Sequence, residues 1–163
     1  MSMDSIEDLF EHQLEDIYFA ENELLDALEE LAEQTENEEI ASAFEEHHEE
    51  TEGHVDRLEE VFDIIGEPPE TEECEAIQGL VEEHESFLDE DPEQHILDVH
   101  NINAAEKTEH YEIAAYGNLA FLADQLGYDE AADLLGQNLE EEKEALEKLK
   151  DLTESYDYQQ IPA

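Results

Sequence analysis

Apolar side chains recur along the chain at alternating intervals of four and three residues, which is the period of a buried helical face. The first such run lies within residues 5–34 and is apolar except for one carboxylate near its middle. Its inward positions are Phe10, Leu14, Ile17, Glu21, Leu24, Leu28 and Leu31. The run predicts an amphipathic helix that turns a single glutamate, Glu21, toward the protein interior.

The same period, together with residues that start or end helices, predicts four further helices. Gly66 and the pair Pro68 and Pro69 are expected to stop the second helix. Pro92 is expected at the first position of the third long helix, and Gly127 is expected to end that helix. Residues 35–38, Thr-Glu-Asn-Glu, have the form of a capping box for the second helix. The complete prediction is helices at about 5–34, 38–65, 74–88, 92–126 and 129–156.

Two short connections and one long one organise these helices. The first and second long helices are joined tightly, as are the third and fourth, so each pair is expected to form an antiparallel hairpin. The long connection, residues 66–92, joins the two hairpins and contains the short helix. We therefore expect one domain over residues 1–163, an all-α, ferritin-like four-helix bundle with a short extra helix in the crossover between helices 2 and 3.

The inward face of the second long helix is apolar at both ends and polar in its middle. His47, Thr51 and His54 occupy the central inward positions, and Glu50 lies between the two histidines in the sequence. Burying bare carboxylates and imidazoles is costly, so these side chains need a partner. A metal ion suits both types of ligand, and the pattern predicts a metal centre at this level.

Glutamates of the last two long helices are expected at the same height. Glu109 and Glu112 lie in the middle of the inward face of helix 92–126. In the last helix two neighbours compete for the inward position. The four-three spacing favours Glu142, whereas an internal repeat favours Glu141.

The internal repeat relates the two predicted hairpins. Glu21 and Glu50 are equidistant from the first turn, and Glu112 and Glu141 have the same separation around the second turn. The same offset aligns apolar positions of the two hairpins: Leu28 with Leu119, Leu31 with Leu122, and Leu58 with Leu149. One glutamate from each helix is therefore expected to converge at mid-height.

A glutamate from each of two helices, with Glu and His from each of the other two, is the ligand plan of a dinuclear carboxylate centre. Glu50 and His54 are one residue further apart than the usual Glu-x-x-His, which a π-bulge near Gly53 could absorb. Ala145 stands where the second histidine would be expected. Two residues could take the vacant place: Glu109 and His47. Oxygen and imidazole ligands favour iron or manganese.

The composition is strongly acidic, with 52 Asp and Glu against 5 Lys and Arg and a formal charge of −47. Such a charge repels nucleic acids and anionic membranes, so we expect neither as a partner. Because hydrophobic residues make up 39% of the chain and follow a helical period, the acid is expected to coat folded helices. Molar salt, with a Debye length of about 3 Å, would relieve the self-repulsion, which predicts a halophilic source.

The cysteine count and the lack of targeting signals bear on the compartment. Cys74 is the only cysteine of the sequence, so no disulfide framework is expected and a reducing compartment is favoured. The sequence has no apolar run of about 18 residues and no charged-then-apolar leader. We therefore expect a soluble, cytoplasmic protein.

Four stretches together resemble the YciF-like stress-protein family of the ferritin-like superfamily. They are EDIYFAENELLDAL (15–28), FEEHHEETEGHVDRLEEVF (44–62), EHYEIAAYG (109–117) and LEEEKEALEKL (139–149). The resemblance covers nearly the whole chain and implies a ferritin-like bundle, a di-iron or di-manganese centre, a homodimer and a link to stress responses. It also implies a set of metal ligands: Glu21, Glu50, His54, Glu112, and Glu141 or Glu142.

The first functional hypothesis is a non-haem dinuclear protein that handles peroxide or dioxygen in stress protection. One alternative is iron binding or storage without turnover, and another is a structural or partner-binding bundle with a vestigial metal site. The sequence contains no Ser-His-Asp arrangement and no glycine-rich phosphate loop, so hydrolytic and nucleophilic chemistry has little support.

Overall fold

The computed structural model describes residues 3–163, and the secondary structure in that range is helical. The helices are α1 (Ile6–Gln34), α2 (Glu38–Ile65), α3 (Glu75–Leu88), α4 (Gln94–Leu126) and α5 (Asp129–Ser155), followed by a 3-10 turn at Tyr158–Gln160. The α1–α2 and α4–α5 hairpins pack together through contacts of α2 with α5 and of α1 with α4. The predicted all-α four-helix bundle, with α3 as the extra helix of the crossover, is confirmed.

The start of α2 differs from the prediction. Asn37 is the N-cap, and its side-chain oxygen accepts hydrogen bonds from the backbone N–H groups of Glu39 and Ile40. The capping box predicted from Thr35 is wrong because Thr35 ends α1 instead. There its hydroxyl donates to the carbonyl of Leu31 at 2.7 Å. Asparagine is an equally good N-cap, so the turn stays short.

Glycines end the two helices that precede turns, as predicted. Gly66 and Gly127 cap α2 and α4 in the left-handed region, with φ of 80° and 79°, a conformation that glycine adopts without a steric penalty. The start of α4 was predicted two residues too early, at Pro92. Because Asp91 also has a left-handed φ, 52°, the chain is still turning at Pro92, and the helix begins at Gln94.

The first turn of α4 is fastened to the α1–α2 turn. The Asp98 carboxylate accepts hydrogen bonds from the backbone N–H groups of Glu36 and Asn37, both at 3.0 Å. Gln94 donates to the carbonyl of Gln34 at 2.8 Å. These bonds satisfy backbone groups that the helix ends leave free. They also set the height of α4 against α1, and therefore the level at which the inward residues of the two hairpins meet.

Two apolar clusters occupy the two ends of the bundle. The larger cluster is built around Phe10, Leu14 and Phe62 and includes Ile77 of α3. The smaller cluster is built around Phe44, Ile102 and Leu149 and closes the opposite end. The residues between the clusters are polar, so the interior has an apolar–polar–apolar layering along its axis.

The exterior is acidic, and all five basic residues of the sequence are paired with carboxylates. The pairs are Arg57–Glu141, Lys107–Glu83, Lys143–Glu140, Lys148–Glu46 and Lys150–Glu147. Most of the 52 acidic side chains therefore have no basic neighbour to offset them. Within residues 3–163, none of the helices is both long enough and apolar enough to cross a membrane.

Candidate metal centre

A layer of buried polar side chains separates the two apolar clusters. Its members come from all four long helices: Glu21, His47, Thr51, His54, Glu109, Glu112, Asn138 and Glu142. Each stands at an inward position of the four-three spacing, because a helix brings every third or fourth residue to one face. The apolar residues before and after each polar position are buried and fix the orientation of the helix, so the polar side chain between them is buried as well.

One group of side chains, the His54 group, consists of His54, Glu21 and Glu142. Nδ1 of His54 lies 2.9 Å from Oε1 of Glu142 and 3.3 Å from Oε1 of Glu21. All three side chains are fully buried. The hydroxyl of Tyr116 donates to the same Glu21 oxygen, which holds that carboxylate in place.

A second group, the His47 group, consists of His47, Glu109, Glu112 and Glu142. Nε2 of His47 lies 2.7 Å from Oε1 of Glu109 and 3.5 Å from Oε2 of Glu142. In each group, one candidate ligand atom per residue lies within 4.8 Å of those of the other members. Such a spacing lets the atoms of a group contact one ion.

Glu142 belongs to both groups and faces them with different oxygens. Its Oε1 is the oxygen nearest His54, and its Oε2 is near His47. Its carboxylate could therefore serve as a ligand in either group.

Each histidine contacts a second carboxylate through its other ring nitrogen. Nδ1 of His47 contacts Oε2 of Glu50 at 3.1 Å, and Nε2 of His54 contacts Oε2 of Glu141 at 2.9 Å. If these outer nitrogens carry the ring protons, the inward nitrogen of each histidine keeps a lone pair for a metal. Glu50 and Glu141, which the internal repeat makes equivalent, therefore each contact the outer nitrogen of one histidine, Glu50 within α2 and Glu141 from α5.

Arg57 holds Glu141, the carboxylate that contacts the outer nitrogen of His54. Its guanidinium donates two hydrogen bonds to Glu141, at 2.7 and 2.9 Å, and one to Asn138 at 2.7 Å. Asn138 in turn donates to the backbone carbonyl of His54. Arg57 was not among the predicted site residues. Two signals could have indicated it: it is the only arginine in the sequence and it lies one helical turn after His54.

Burial and crowding change the proton affinities in the layer. Burial, together with the charges of Glu142, Glu21 and Glu109, raises the pKa of Glu112 well above its usual value. Burial also raises the pKa of Glu142, with Glu109 as the next cause. Burial alone would lower the pKa of His54, but Glu142 and Glu21 raise it to about 10. Without metal, the layer therefore lowers its negative charge by holding protons.

The structure brings five of the seven predicted site residues together in the layer: Glu21, His54, Glu109, Glu112 and Glu142. Glu50 and Glu141 lie at its margin, with side chains 49% and 28% exposed. Of the two competing neighbours in α5, Glu142 faces inward, because its position continues the buried face of that helix. His47, the other candidate for the vacant histidine place, lies in the layer beside Glu109.

The π-bulge predicted near Gly53 is wrong. α2 is a regular α-helix from Glu38 to Ile65, so Glu50 and His54 do not face the same point. A Cβ atom added at Gly53 would meet only the end of the Arg57 side chain, at 3.9 Å. Among the described residues, nothing approaches the backbone closely at Gly53.

The donor atoms of the layer fit metal ions. Several buried atoms have no hydrogen-bond partner among the described residues: Glu21 Oε2, His54 Nδ1, Glu109 Oε2 and both oxygens of Glu112 and Glu142. Unpartnered buried carboxylates are strongly destabilising. This buried group of Glu and His side chains could hold a metal.

Comparisons with known proteins place the chain in a family. The sequence profile of DUF892, described as a domain of unknown function, matches residues 5–161. Protein YciF of Escherichia coli K12 is 45% identical over 153 residues, which are 93% of this chain and 92% of YciF.

Solved structures agree with this match. The crystal structure of the E. coli stress protein YciF has a TM-score of 0.88 at 45% identity and covers 93% of this chain and 96% of that one. YcfI of Rhodopseudomonas palustris has a TM-score of 0.89 at 38% identity, with 91% and 95% covered. A Xanthomonas campestris protein, with a TM-score of 0.73 at 22% identity and 93% and 92% covered, shares the fold. The chain belongs to the YciF-like family, which carries the DUF892 domain of unknown function.

Proposed function

We propose that the chain binds two iron or manganese ions in the polar layer and handles dioxygen or hydrogen peroxide in protection against stress. The observation that carries this proposal is the convergence of four buried glutamates on the inward nitrogens of two histidines. Five carboxylate and imidazole groups of this layer have atoms without a hydrogen-bond partner in residues 3–163. A fold can keep such groups inside only when a ligand or protons offset their cost.

The two groups divide the ligands between two ions. His54 and Glu21 would hold one ion, His47, Glu109 and Glu112 would hold the other, and Glu142 would contact both. A bound iron or manganese pair supplies a reversible change of redox state and Lewis acidity.

The surrounding residues position the ligands and keep the layer dry. Tyr116 orients Glu21 through its hydroxyl, and the Arg57–Glu141 pair orients His54. The apolar clusters above and below exclude bulk water along the bundle axis. A low local dielectric strengthens every interaction between the ligands and a bound cation.

The relationship to E. coli YciF, described as a stress protein, supports the stress-related part of the proposal. A structural role has been suggested for YcfI of R. palustris. The polar layer argues against a purely structural role here, because apolar residues of similar volume at the same positions would give a more stable bundle. A bundle kept only for its shape has no need of Glu112, whose carboxylate is fully buried.

Metal analysis tests the proposal. Protein purified without chelators should contain two iron or manganese ions per chain, and crystals should show anomalous signal in the polar layer at the corresponding absorption edge. The variant Glu142→Gln should retain at most one ion, because it alters the shared ligand. Glu154→Gln, on the exposed face of the same helix, is the control and should retain both. Unchanged metal content in Glu142→Gln would contradict the assignment.

Reactivity and assembly separate turnover from storage. The ferrous protein, prepared without air, should develop a new visible absorption band when it is mixed with dioxygen or peroxide. Storage requires a closed shell of many subunits, whereas we propose a homodimer. Size measurement in high salt therefore decides between the two, and a particle of 12 or 24 subunits would favour storage.

A further inference from the structure

The outward face of α4 lacks the dense acidic coat that covers α2. Eleven of the twelve exposed residues of α2 are acidic, and Ser42 is the exception. Of the nine exposed residues of α4, Asp124 alone is acidic. Residues 113–123 of α4 are also the longest stretch of the sequence without a charged residue. In a chain with a formal charge of −47, this face of α4 therefore stands apart from the rest of the exterior.

Six of the exposed residues of α4 follow one another at intervals of three or four, so they share one side of the helix. This acid-free stripe consists of Lys107, His110, Ala114, Asn118, Phe121 and Gln125. Phe121 is 62% exposed, the largest exposed fraction of any large apolar side chain between Met3 and Ala163. Ala114 and the neighbouring Gly117 are small, so a second helix could approach the middle of the stripe closely.

The charge of the chain indicates the kind of partner that suits this stripe. A basic partner would be attracted to the carboxylates of α2 rather than to a face without them. Two copies of this chain repel each other through their acidic coats, so a contact between them needs a surface free of carboxylates. A two-fold contact places the same surface of each copy against itself, so that one acid-free stripe meets another.

The charged residues near the two ends of the stripe give such a contact a direction. Lys107 lies near one end, and Asp124 lies beside the stripe near the other. Two copies of α4 that run antiparallel, centred between Ala114 and Gly117, bring Lys107 of each copy level with Asp124 of the other. A parallel pair would bring like charges together. Lys107 already donates to Glu83 of α3 at 2.8 Å, and its ammonium has further donors for a second carboxylate.

We propose that the acid-free stripe of α4 is the interface between two copies of this chain, which pair antiparallel about a two-fold axis between Ala114 and Gly117. Phe121 of each copy would pack against the other helix near His110, because the two residues lie equally far from that axis along the helix. The inference gives the proposed homodimer its interface. It rests on that part of the proposed function and is independent of metal binding.

Added carboxylates test the surface. Sedimentation in about 1 M potassium chloride, where the Debye length is about 3 Å, should show a dimer for the wild type. Phe121→Glu places a carboxylate in the contact and should raise the dissociation constant at least about tenfold. Ser42→Glu adds the same charge to the exposed face of α2 and should leave the dissociation constant unchanged. Both positions are exposed, so neither change should disturb folding. A dimer that Phe121→Glu leaves intact, or that both variants weaken equally, would overturn the interface.

Distances between spin labels test the orientation. A label on Asn103→Cys, at an exposed position one turn before Lys107, should lie about 35–40 Å from its counterpart in an antiparallel dimer. A label on Asn118→Cys should lie within about 20 Å of its counterpart. Cys74 is buried and should not take up the label. A short distance at Asn103→Cys, which a parallel pair would give, would overturn the antiparallel pairing.

The outcomes separate this inference from the proposed metal centre. A wild-type monomer in high salt would overturn both the homodimer and its interface, whatever the metal content of the protein. A dimer that takes up no metal would contradict the metal centre and would leave the interface intact.

Discussion

Nδ1 of His54 and Oε1 of Glu142 lie 2.9 Å apart, yet neither atom has a hydrogen-bond partner between Met3 and Ala163. Two buried polar atoms at this distance are tolerated when a proton or a cation lies between them. Glu142 faces the inward nitrogen of His47 with its other oxygen. The Glu142 carboxylate therefore connects the two groups. The stability of the layer depends on whether protons or metal ions lie between its oxygens and the two imidazoles.

Replacing Glu112 should make the metal-free protein more stable and should weaken its stabilisation by metal. Glu112→Leu removes a buried carboxylate whose oxygens are unpartnered in the described chain, so it should raise the free energy of unfolding of metal-free protein by about 1–3 kcal/mol. The same change should reduce the stabilisation that added iron or manganese provides. Denaturant unfolding with and without metal measures both effects.

The exposed Glu154 provides the control for this exchange. Glu154→Leu should leave the response to metal unchanged. A metal-free Glu112→Leu protein that is less stable than wild type would show that the carboxylate has a stabilising partner even without metal.

The stability of metal-free protein should fall as the pH rises. Glu142 and Glu21 raise the pKa of His54 from 6.5 to about 10 against the opposing effect of burial. Burial lowers the pKa of His47 too, but Glu109 outweighs it and raises that pKa well above 6.5. A raised folded-state pKa gives stability that is complete below about pH 6.5 and is lost as the pH approaches about 10. Urea unfolding at a series of pH values in chelator measures this loss.

Metal binding should show the opposite pH dependence. The ligands must lose their protons before they can bind an ion. Because the pKa values of Glu112 and Glu142 are raised by burial and by neighbouring carboxylates, each binding event should release protons near neutral pH. Calorimetric titration in buffers with different ionisation heats counts these protons. Binding heats that do not depend on the buffer would contradict the protonated state of the metal-free layer.

Breaking the Arg57–Glu141 pair should weaken metal binding without removing a ligand. Arg57→Gln removes the two hydrogen bonds that the guanidinium donates to Glu141, so the Glu141 carboxylate should hold the His54 ring less firmly. We expect metal affinity to fall by about 10–100-fold, as is usual when the outer partner of a ligand is lost. Competition with a chelator measures the affinity, and Lys143→Gln, which breaks the exposed pair with Glu140, is the control.

A spectroscopic measurement distinguishes orientation of His54 from general destabilisation. In zinc-loaded protein, the nitrogen shifts of His54 should show the proton on Nε2 in wild type and a mixture of tautomers in Arg57→Gln. Arg57→Lys should restore the affinity in part, because lysine keeps the charge but cannot form the paired hydrogen bonds. An unaltered tautomer with lowered affinity would rule out the orienting role.

Salt should stabilise the folded chain. With a formal charge of −47 and five basic residues, self-repulsion is strong at low ionic strength. Raising potassium chloride from about 0.1 to 1 M shortens the Debye length from about 10 to 3 Å and should raise the melting temperature throughout. Sucrose at matched osmolality does not screen charge and should give a smaller increase. A melting temperature that does not respond to salt would remove the basis for predicting a halophilic source.

The helices and their inward faces follow from the sequence by itself. The four-three spacing identified the buried face of every long helix, and Gly66 and Gly127 marked two helix ends. The predictions of helix starts were wrong at Thr35 and Pro92, where several residues can cap or start a helix at similar cost and neighbouring parts of the chain decide between them.

The tertiary structure decided which polar side chains meet and what each one contacts. Helical phase shows that either Glu141 or Glu142 can face inward, but only the packing of α5 against α2 places Glu142 between two histidines and Glu141 beside Arg57. These contacts join residues more than 80 positions apart. A local pattern sets the direction of a side chain from its own helix axis. Distances between side chains on different helices depend on how the whole bundle packs.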